Sequence, residues 1–274
     1  MDEQSPSSTV STRERHSRAI ALALGFFSRL PTRHLETIED EDMGRAVVYM
    51  PVVGLIIGLI LVVTGLVLSS FLGSWHGDLN TIHLSLIGLT LFAILTLASG
   101  GLHLDGLGDC ADAWVGGLGD KERTLLIMKD PTCGPMAVMV VVLGMLVKAG
   151  GMVALTISQS WLAILLIPVL SRTAGMGLFL NTPYVRPKGL GQAFSDFAAN
   201  PVTRSECRSS LMAALAISAV LLAGVWPALI LVLLLWYWLR QQTLSRLEGF
   251  TGDVCGAVIE ITEACLFLFI ALLV

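Results

Sequence analysis

The chain has 274 residues, 54% of them hydrophobic and only 14% charged, with a formal net charge of −4. Soluble domains are about one-quarter charged, so a mean hydropathy of +0.78 excludes an ordinary soluble protein, which would lack the polar surface to stay dissolved. The cysteines Cys110, Cys133, Cys207, Cys255 and Cys265 are odd in number and show no CxxC spacing, which excludes a disulfide scaffold.

Residues 1–18 are polar and rich in Ser, Thr and Arg. They are predicted to form a disordered tail, without the apolar core and cleavage site of a signal peptide. Residues 19–274 are predicted to form a single transmembrane domain. Ala19–Leu30 is too short to cross a bilayer and is expected to lie in the interface or enter partway. A helical span needs about 20 apolar residues. Val47–Phe71, Ile82–Ser99, Met136–Ile157 and Trp161–Leu180 each meet that requirement. Leu211–Leu239 is too long for one span, and Gly224, Trp226 and Pro227 interrupt it, so two short helices are expected there. Val254–Val274 is the last run. The fold class expected is all-α, a polytopic membrane helix bundle of about seven spans.

Basic residues orient such a bundle. Fifteen of the 17 Lys and Arg residues fall in segments that seven spans place on one side, whereas Lys148 and Arg172 lie in or at the end of spans. The opposite loops carry none. The N-terminus is therefore expected in the cytoplasm, in a multi-pass cytoplasmic (inner) membrane protein. Six or eight spans would destroy the asymmetry. Trp75, Trp161, Trp226, Trp236 and Trp238 read as an interfacial belt.

The most informative segment is Leu102–Pro135, LHLDGLGDCADAWVGGLGDKERTLLIMKDPTCGP, directly after the second span. Asp105, Asp109 and Asp112 are spaced i, i+4, i+7, which shares one helix face. Three carboxylates on one face repel unless a cation lies between them, and hard oxygen donors suit Mg²⁺ or Mn²⁺. The bland alternative is a solvated acidic helix end, disfavoured next to a membrane span. Gly106, Gly108, Ala111 and Ala113 leave room for a ligand or for close helix packing. Asp253 stands in Thr-Gly-Asp before the last span, with Glu260 on its face at i+7 and Glu263 further in. Intramembrane carboxylates are candidate functional groups; the alternative is an ion pair with Lys148 or Arg172. Lys129 and Asp130 sit in the MKDPTCGP loop, and Arg29, Arg45 and Arg172 lie near span ends. Each basic residue serves as a candidate phosphate partner or as a positive-inside anchor. His103 is read as a packing or supporting residue.

The run GGLHLDGLGDCADAWVGGLGDKERTLLIMKDPTCGP, together with FSRLPT, MPVVGLIIG and TGDVCGAVIEITEA, resembles the cobalamin synthase (adenosylcobinamide-GDP ribazoletransferase) family from about Phe26 onward. Gly108, Cys110, Val254 and Cys255 depart from the usual residues without removing a carboxylate. The resemblance implies a membrane enzyme that joins adenosylcobinamide-GDP to α-ribazole or its 5′-phosphate, releasing GMP, with Mg²⁺ as cofactor. The chemistry of the residues agrees with it: Asp105, Asp109 and Asp112 are the expected metal ligands, and Asp253 and Lys129 further catalytic residues. Arg172, Asp130, Arg29, Arg45 and Glu260 would contact substrate. The expected partners are the corrinoid-GDP and α-ribazole substrates and membrane lipid, with no nucleic acid; homo-oligomers and assembly with other corrinoid enzymes stay open. The rival readings are a CDP-alcohol type phosphotransferase, which expects Ala-Arg where Ala-Asp stands here, and a cation transporter.

Overall fold

The computed structural model describes residues 11–35, 37–38, 40–186, 190–198, 200–222, 224 and 226–274, and its regular structure is entirely helical. The helices are α1 (Thr12–Phe27), α2 (Asp40–Val48), α3 (Met50–His76), α4 (Thr81–Ser99), α5 (Leu102–Gly116), α6 (Lys121–Ile127), α7 (Pro135–Ile157), α8 (Trp161–Asn181), α9 (Leu190–Ala198), α10 (Pro201–Leu221), α11 (Pro227–Leu247) and α12 (Gly252–Ala271). Residues 1–10 of the polar tail lie outside the described residues; its latter part forms the first turns of α1, capped by Ser11. Lys188 also lies outside them.

Five helices, α3, α4, α7, α8 and α12, are long and apolar enough to cross a membrane. The pair expected within Leu211–Leu239 consists instead of two 21-residue helices, α10 and α11. Their polar ends, with Arg204, Glu206 and Arg208 on α10 and Arg240 and Arg246 on α11, lengthen each helix beyond its apolar part. Neither meets the span criterion that the other five meet.

Helix α8 is the centre of the bundle: from Ala163 to Leu180 every residue except Leu165 is buried. Helix α3 lies tightly along it because Gly54 and Gly58 bring the two backbones together; a Cβ at either would collide with the main chain around Pro168 or Leu165. Helix α12 packs on α8, α7 and α5, and α4 packs on α7. Apolar side chains such as Val63, Val67 and Phe71 of α3 and Leu143 and Leu146 of α7 remain exposed, as a lipid-facing surface requires.

The buried ionic groups at the heart of this bundle are paired. Lys148 of α7 contacts Glu260 at 2.7 Å and Glu263 at 2.6 Å, both on α12. Arg172 of α8 pairs with Glu263 and donates to Ser171 Oγ at 3.1 Å and to Ser99 Oγ of α4 at 3.2 Å. All four ionic side chains are buried. Two cations and two anions leave the cluster without net charge, and four helices meet there.

Removing one partner of a buried ionic pair strands the other, at a cost of about 3–5 kcal/mol. Lys148→Met should therefore sharply lower the thermal midpoint of the detergent-solubilised protein. Adding Glu260→Gln to it should recover part of the loss. Equal midpoints for Lys148→Met and wild type would show that the cluster does not hold the helices together.

Candidate functional site

At one end of the bundle, Gly101, Ala137, Arg186 and Asp253 line the same cavity, of about 710 Å³. The end of α4 and the starts of α7 and α12 therefore lie on one side. The connections at the opposite end, residues 77–80, 158–160 and 222–226, contain no Lys or Arg.

Helix α5 enters the site through Gly100 and Gly101, both left-handed, with φ of 67° and 71°. Glycine adopts this region without a Cβ penalty, so α5 begins directly after α4 with no linker. Asp105 and Asp109, one turn apart, reach the cavity, while His103 is buried. On the packed face, Gly106 lies against the first turn of α12, where a Cβ would stand 2.6 Å from the Asp253 carbonyl oxygen. That close approach places Asp253 beside the acids of α5. Thr251 caps α12 by accepting from the Val254 N–H at 3.3 Å. Its hydroxyl also reaches Asp253 Oδ2 at 3.3 Å.

Arg186 Nη1 donates to Asp253 Oδ2 at 2.9 Å. A short pairing of the two segments delivers it. The Val185 N–H donates to the Phe250 carbonyl at 3.0 Å, and the Phe250 N–H donates to the Pro183 carbonyl at 2.9 Å. Lys129 and Asp130 complete the polar wall. Asp130 Oδ1 accepts from the Thr132 N–H at 2.9 Å and its hydroxyl at 2.6 Å, which turns the loop. A second cavity, of about 380 Å³, lies on the other face of α5 against α11 and α12. It is almost wholly apolar and holds none of these acids.

The remaining expected residues lie elsewhere. Asp112 is on the same face of α5, but Oδ2 accepts from the Gly134 N–H at 2.6 Å and Oδ1 from the Ala137 N–H at 3.0 Å. It caps α7, whose own cap residue is a glycine, and a carboxylate there complements the helix dipole. Each of its oxygens already accepts a backbone N–H at the start of α7, and Asp112 is not among the residues that line the cavity. Arg172 and Glu260, expected to face substrate, are instead buried in the ionic cluster. Arg29 packs over Gly100 and donates its backbone N–H to Ala98 O at 2.7 Å. Arg45 bridges Glu41 at 3.1 Å and Glu206 at 4.0 Å, joining α2 to α10. Arg186 is one of the fifteen basic residues that orient the bundle. Its partner lies 67 positions away, and no local spacing signals the pair.

The electrostatics of the cavity follow from this crowding. The Asp109 carboxyl is pushed up to about 6, first by burial, then by Asp105 and Asp253, with Arg186 opposing. His103, buried against Gly256 and near Arg172, is held neutral, its pKa lowered to about 3 by burial and then by that cation. Among the described residues, no three His, Cys, Asp or Glu side chains form a ready cage for a metal ion. The mutually repelling oxygen donors of Asp105, Asp109 and Asp253 nevertheless fit a hard cation that takes its other ligands from water and a bound phosphate.

Residues 19–271 match a family model described as "Cobalamin-5-phosphate synthase". The chain is 45% identical to an adenosylcobinamide-GDP ribazoletransferase of Pseudomonas fluorescens, over 92% of this chain and 98% of the relative. It is 43% identical to proteins of the same name from Pseudomonas savastanoi, over 92% and 98%, and Pseudomonas aeruginosa, over 93% and 98%. No solved structure matches.

Because the folded state raises the Asp109 pKa from 3.8 to about 6, the native protein holds a proton there that the unfolded chain has lost. That contribution to stability is full below pH 3.8 and is lost as pH rises through about 6. In EDTA, Asp109→Asn should therefore raise the thermal midpoint at pH 7.5 relative to wild type, with the difference vanishing near pH 4. A lower midpoint for the variant at pH 7.5 would contradict the crowding.

Proposed function

The chain belongs to the cobalamin-5-phosphate synthase family, and we propose that the acidic cavity is where it joins adenosylcobinamide-GDP to α-ribazole or α-ribazole 5′-phosphate. The relatives' shared name is that of this transferase. The observation that carries the site is the convergence of Asp105, Asp109 and Asp253 on one cavity with Arg186 and Lys129. Carboxylates of two distant segments, mixed with cations, suit a pyrophosphate and its counter-ion.

In the transfer, the ribose hydroxyl of the acceptor forms a bond to the phosphorus that carries the corrinoid. The bond from that phosphorus to GMP breaks, and the hydroxyl proton leaves. Catalysis of such a step is mainly positioning and charge neutralisation. Asp105 and Asp109 would hold Mg²⁺, which when bound supplies neutralisation of the pyrophosphate charge. Asp253, oriented by Thr251 and Arg186, is placed to accept the acceptor's proton or to complete the ligand set. Lys129, with no ion pair among the described residues, is free to meet phosphate oxygens. Asp112 acts at one remove, by fixing the start of α7 and the loop that carries Lys129.

The basic segments share the cavity's end of the bundle, so by the positive-inside rule this end faces the cytoplasm. The protein then lies in the cytoplasmic membrane with its active face inward, where its nucleotide substrate is available.

The test is turnover by detergent-purified protein given adenosylcobinamide-GDP, α-ribazole and Mg²⁺, with GMP and the cobalamin product followed by chromatography. Both products should form in equal amounts and stop on adding EDTA. Asp109→Ala should lower turnover roughly 100-fold or more, and Arg186→Gln about 10-fold. Well-folded Asp109→Ala with wild-type turnover would remove the transfer from this cavity. Ion flux without nucleotide turnover would return the transporter reading.

A further inference from the structure

A third cavity, of about 590 Å³, lies beside the acidic one, between the end of α8, α9, the first turns of α10 and the last turns of α11. Arg204 and Arg240 both line it, with Trp236, Asn181 and Thr182, and no carboxylate among the described residues does. Neither arginine forms an ion pair among the described residues. Each is anchored by part of its guanidinium. Arg204 Nη2 donates to Leu180 O at 3.0 Å. Arg240 donates through Nε and Nη2 to Asn181 O at 3.2 and 2.6 Å, and through Nε to Thr182 Oγ1 at 3.2 Å.

Leu180 O and Asn181 O are consecutive carbonyls at the C-terminus of α8, which carry partial negative charge. One cation there would complement the helix end. Two, held on neighbouring carbonyls and facing one cavity, repel each other and lack a full counter-charge. The Nη1 group of each has no protein acceptor among the described residues. Two preorganised guanidinium edges with spare donors are the chemistry that recognises phosphate. The acidic cavity, by contrast, repels an anion that arrives without a cation.

The two cavities are neighbours along the chain: Thr182 lines this one and Arg186 the acidic one. Four residues of extended backbone reach at most about 14 Å, comparable to the length of a nucleoside monophosphate. We propose that the Arg204–Arg240 cavity binds a phosphate group that takes no part in the transfer, namely the 5′-phosphate of a phosphorylated acceptor. A phosphate of an anionic lipid headgroup offers the same chemistry at a membrane surface. The acceptor assignment rests on the proposed function; the anion site does not.

The full-length protein in phosphatidylcholine nanodiscs separates the cases. Wild type, Arg204→Gln, Arg240→Gln and the corresponding Lys variants are assayed with α-ribazole and with α-ribazole 5′-phosphate. In the Gln variants, kcat/KM for the phosphorylated acceptor relative to the unphosphorylated one should fall at least 10-fold, through KM, and the Lys variants should regain part of it. On wild type alone, α-ribazole 5′-phosphate, but not α-ribazole, should protect Arg204 and Arg240 from phenylglyoxal, read by mass spectrometry, so the test survives a variant that misfolds. An unchanged ratio, with phosphatidylglycerol retained by wild type and lost by the Gln variants in native mass spectrometry, would keep the anion site and assign it to lipid. No transfer of either acceptor by wild type would sink the proposed function, while protection of the two arginines by phosphatidylglycerol would still report the anion site. Unchanged ratio, unchanged lipid retention and no protection by either compound would leave the arginines as caps of α8 and overturn the proposal.

Discussion

The architecture depends on cancelling charge inside an apolar bundle. Lys148, Arg172, Glu260 and Glu263 are buried together, where any one of them alone would be prohibitive in hydrocarbon. Their mutual neutralisation fixes how α7, α8 and α12 sit against one another, and Ser99 brings in α4. The end that holds the acidic cavity inherits that arrangement. Asp253 stands two turns before Glu260 on α12, and His103, next to the cluster, lies two residues before Asp105 on α5. A proton on His103 would add a third cation to a balanced set, and the pKa of about 3 keeps it away.

Glycine does the complementary work. Where the cluster attracts helices, Gly54 and Gly58 let α3 approach α8, and Gly106 and Gly256 let α5 approach α12. The consequence at the site is a division of labour. Asp105, Asp109 and Asp253 ride on packed helices, which suits groups that must be held to within a fraction of an ångström. Lys129 and Asp130 are exposed and ride on the loop between α6 and α7. Asp112 joins the two systems by tethering the loop's end to α5.

Much of this was legible in the sequence because it is local. Hydropathy runs mark the spans, and the i, i+4, i+7 spacing of Asp105, Asp109 and Asp112 does place them on one helix face. Thr-Gly-Asp places an acid at the start of the last span, and the structure adds that Thr251 caps that helix. Spacing cannot say how far a side chain's partners lie from it. Asp112 shares the face of Asp109, yet two N–H groups more than 20 residues away claim it. For Glu260 and Glu263 the sequence left two readings open, a functional group or an ion pair with Lys148 or Arg172, and the packing of α7, α8 and α12 produces the ion pairs, which take Arg172 and Glu260 away from the cavity. Arg186 looked like an ordinary loop cation because its importance comes from the pairing of Val185 with Phe250. The lengths of α10 and α11 were hidden for a related reason: hydropathy ends where charge begins, but hydrogen-bonded helix does not.

The order in which the cluster's members occur along the chain bears on how the protein is made. Lys148 and Arg172 emerge from the ribosome roughly 100 residues ahead of the glutamates that neutralise them. Until α12 is made, two cations belong to apolar segments whose glutamate partners do not yet exist. Arrival of α12 supplies both anions and, in its first turn, Asp253. A nascent chain halted before α12 would therefore lack both the anions of the cluster and the Asp253 of the acidic cavity.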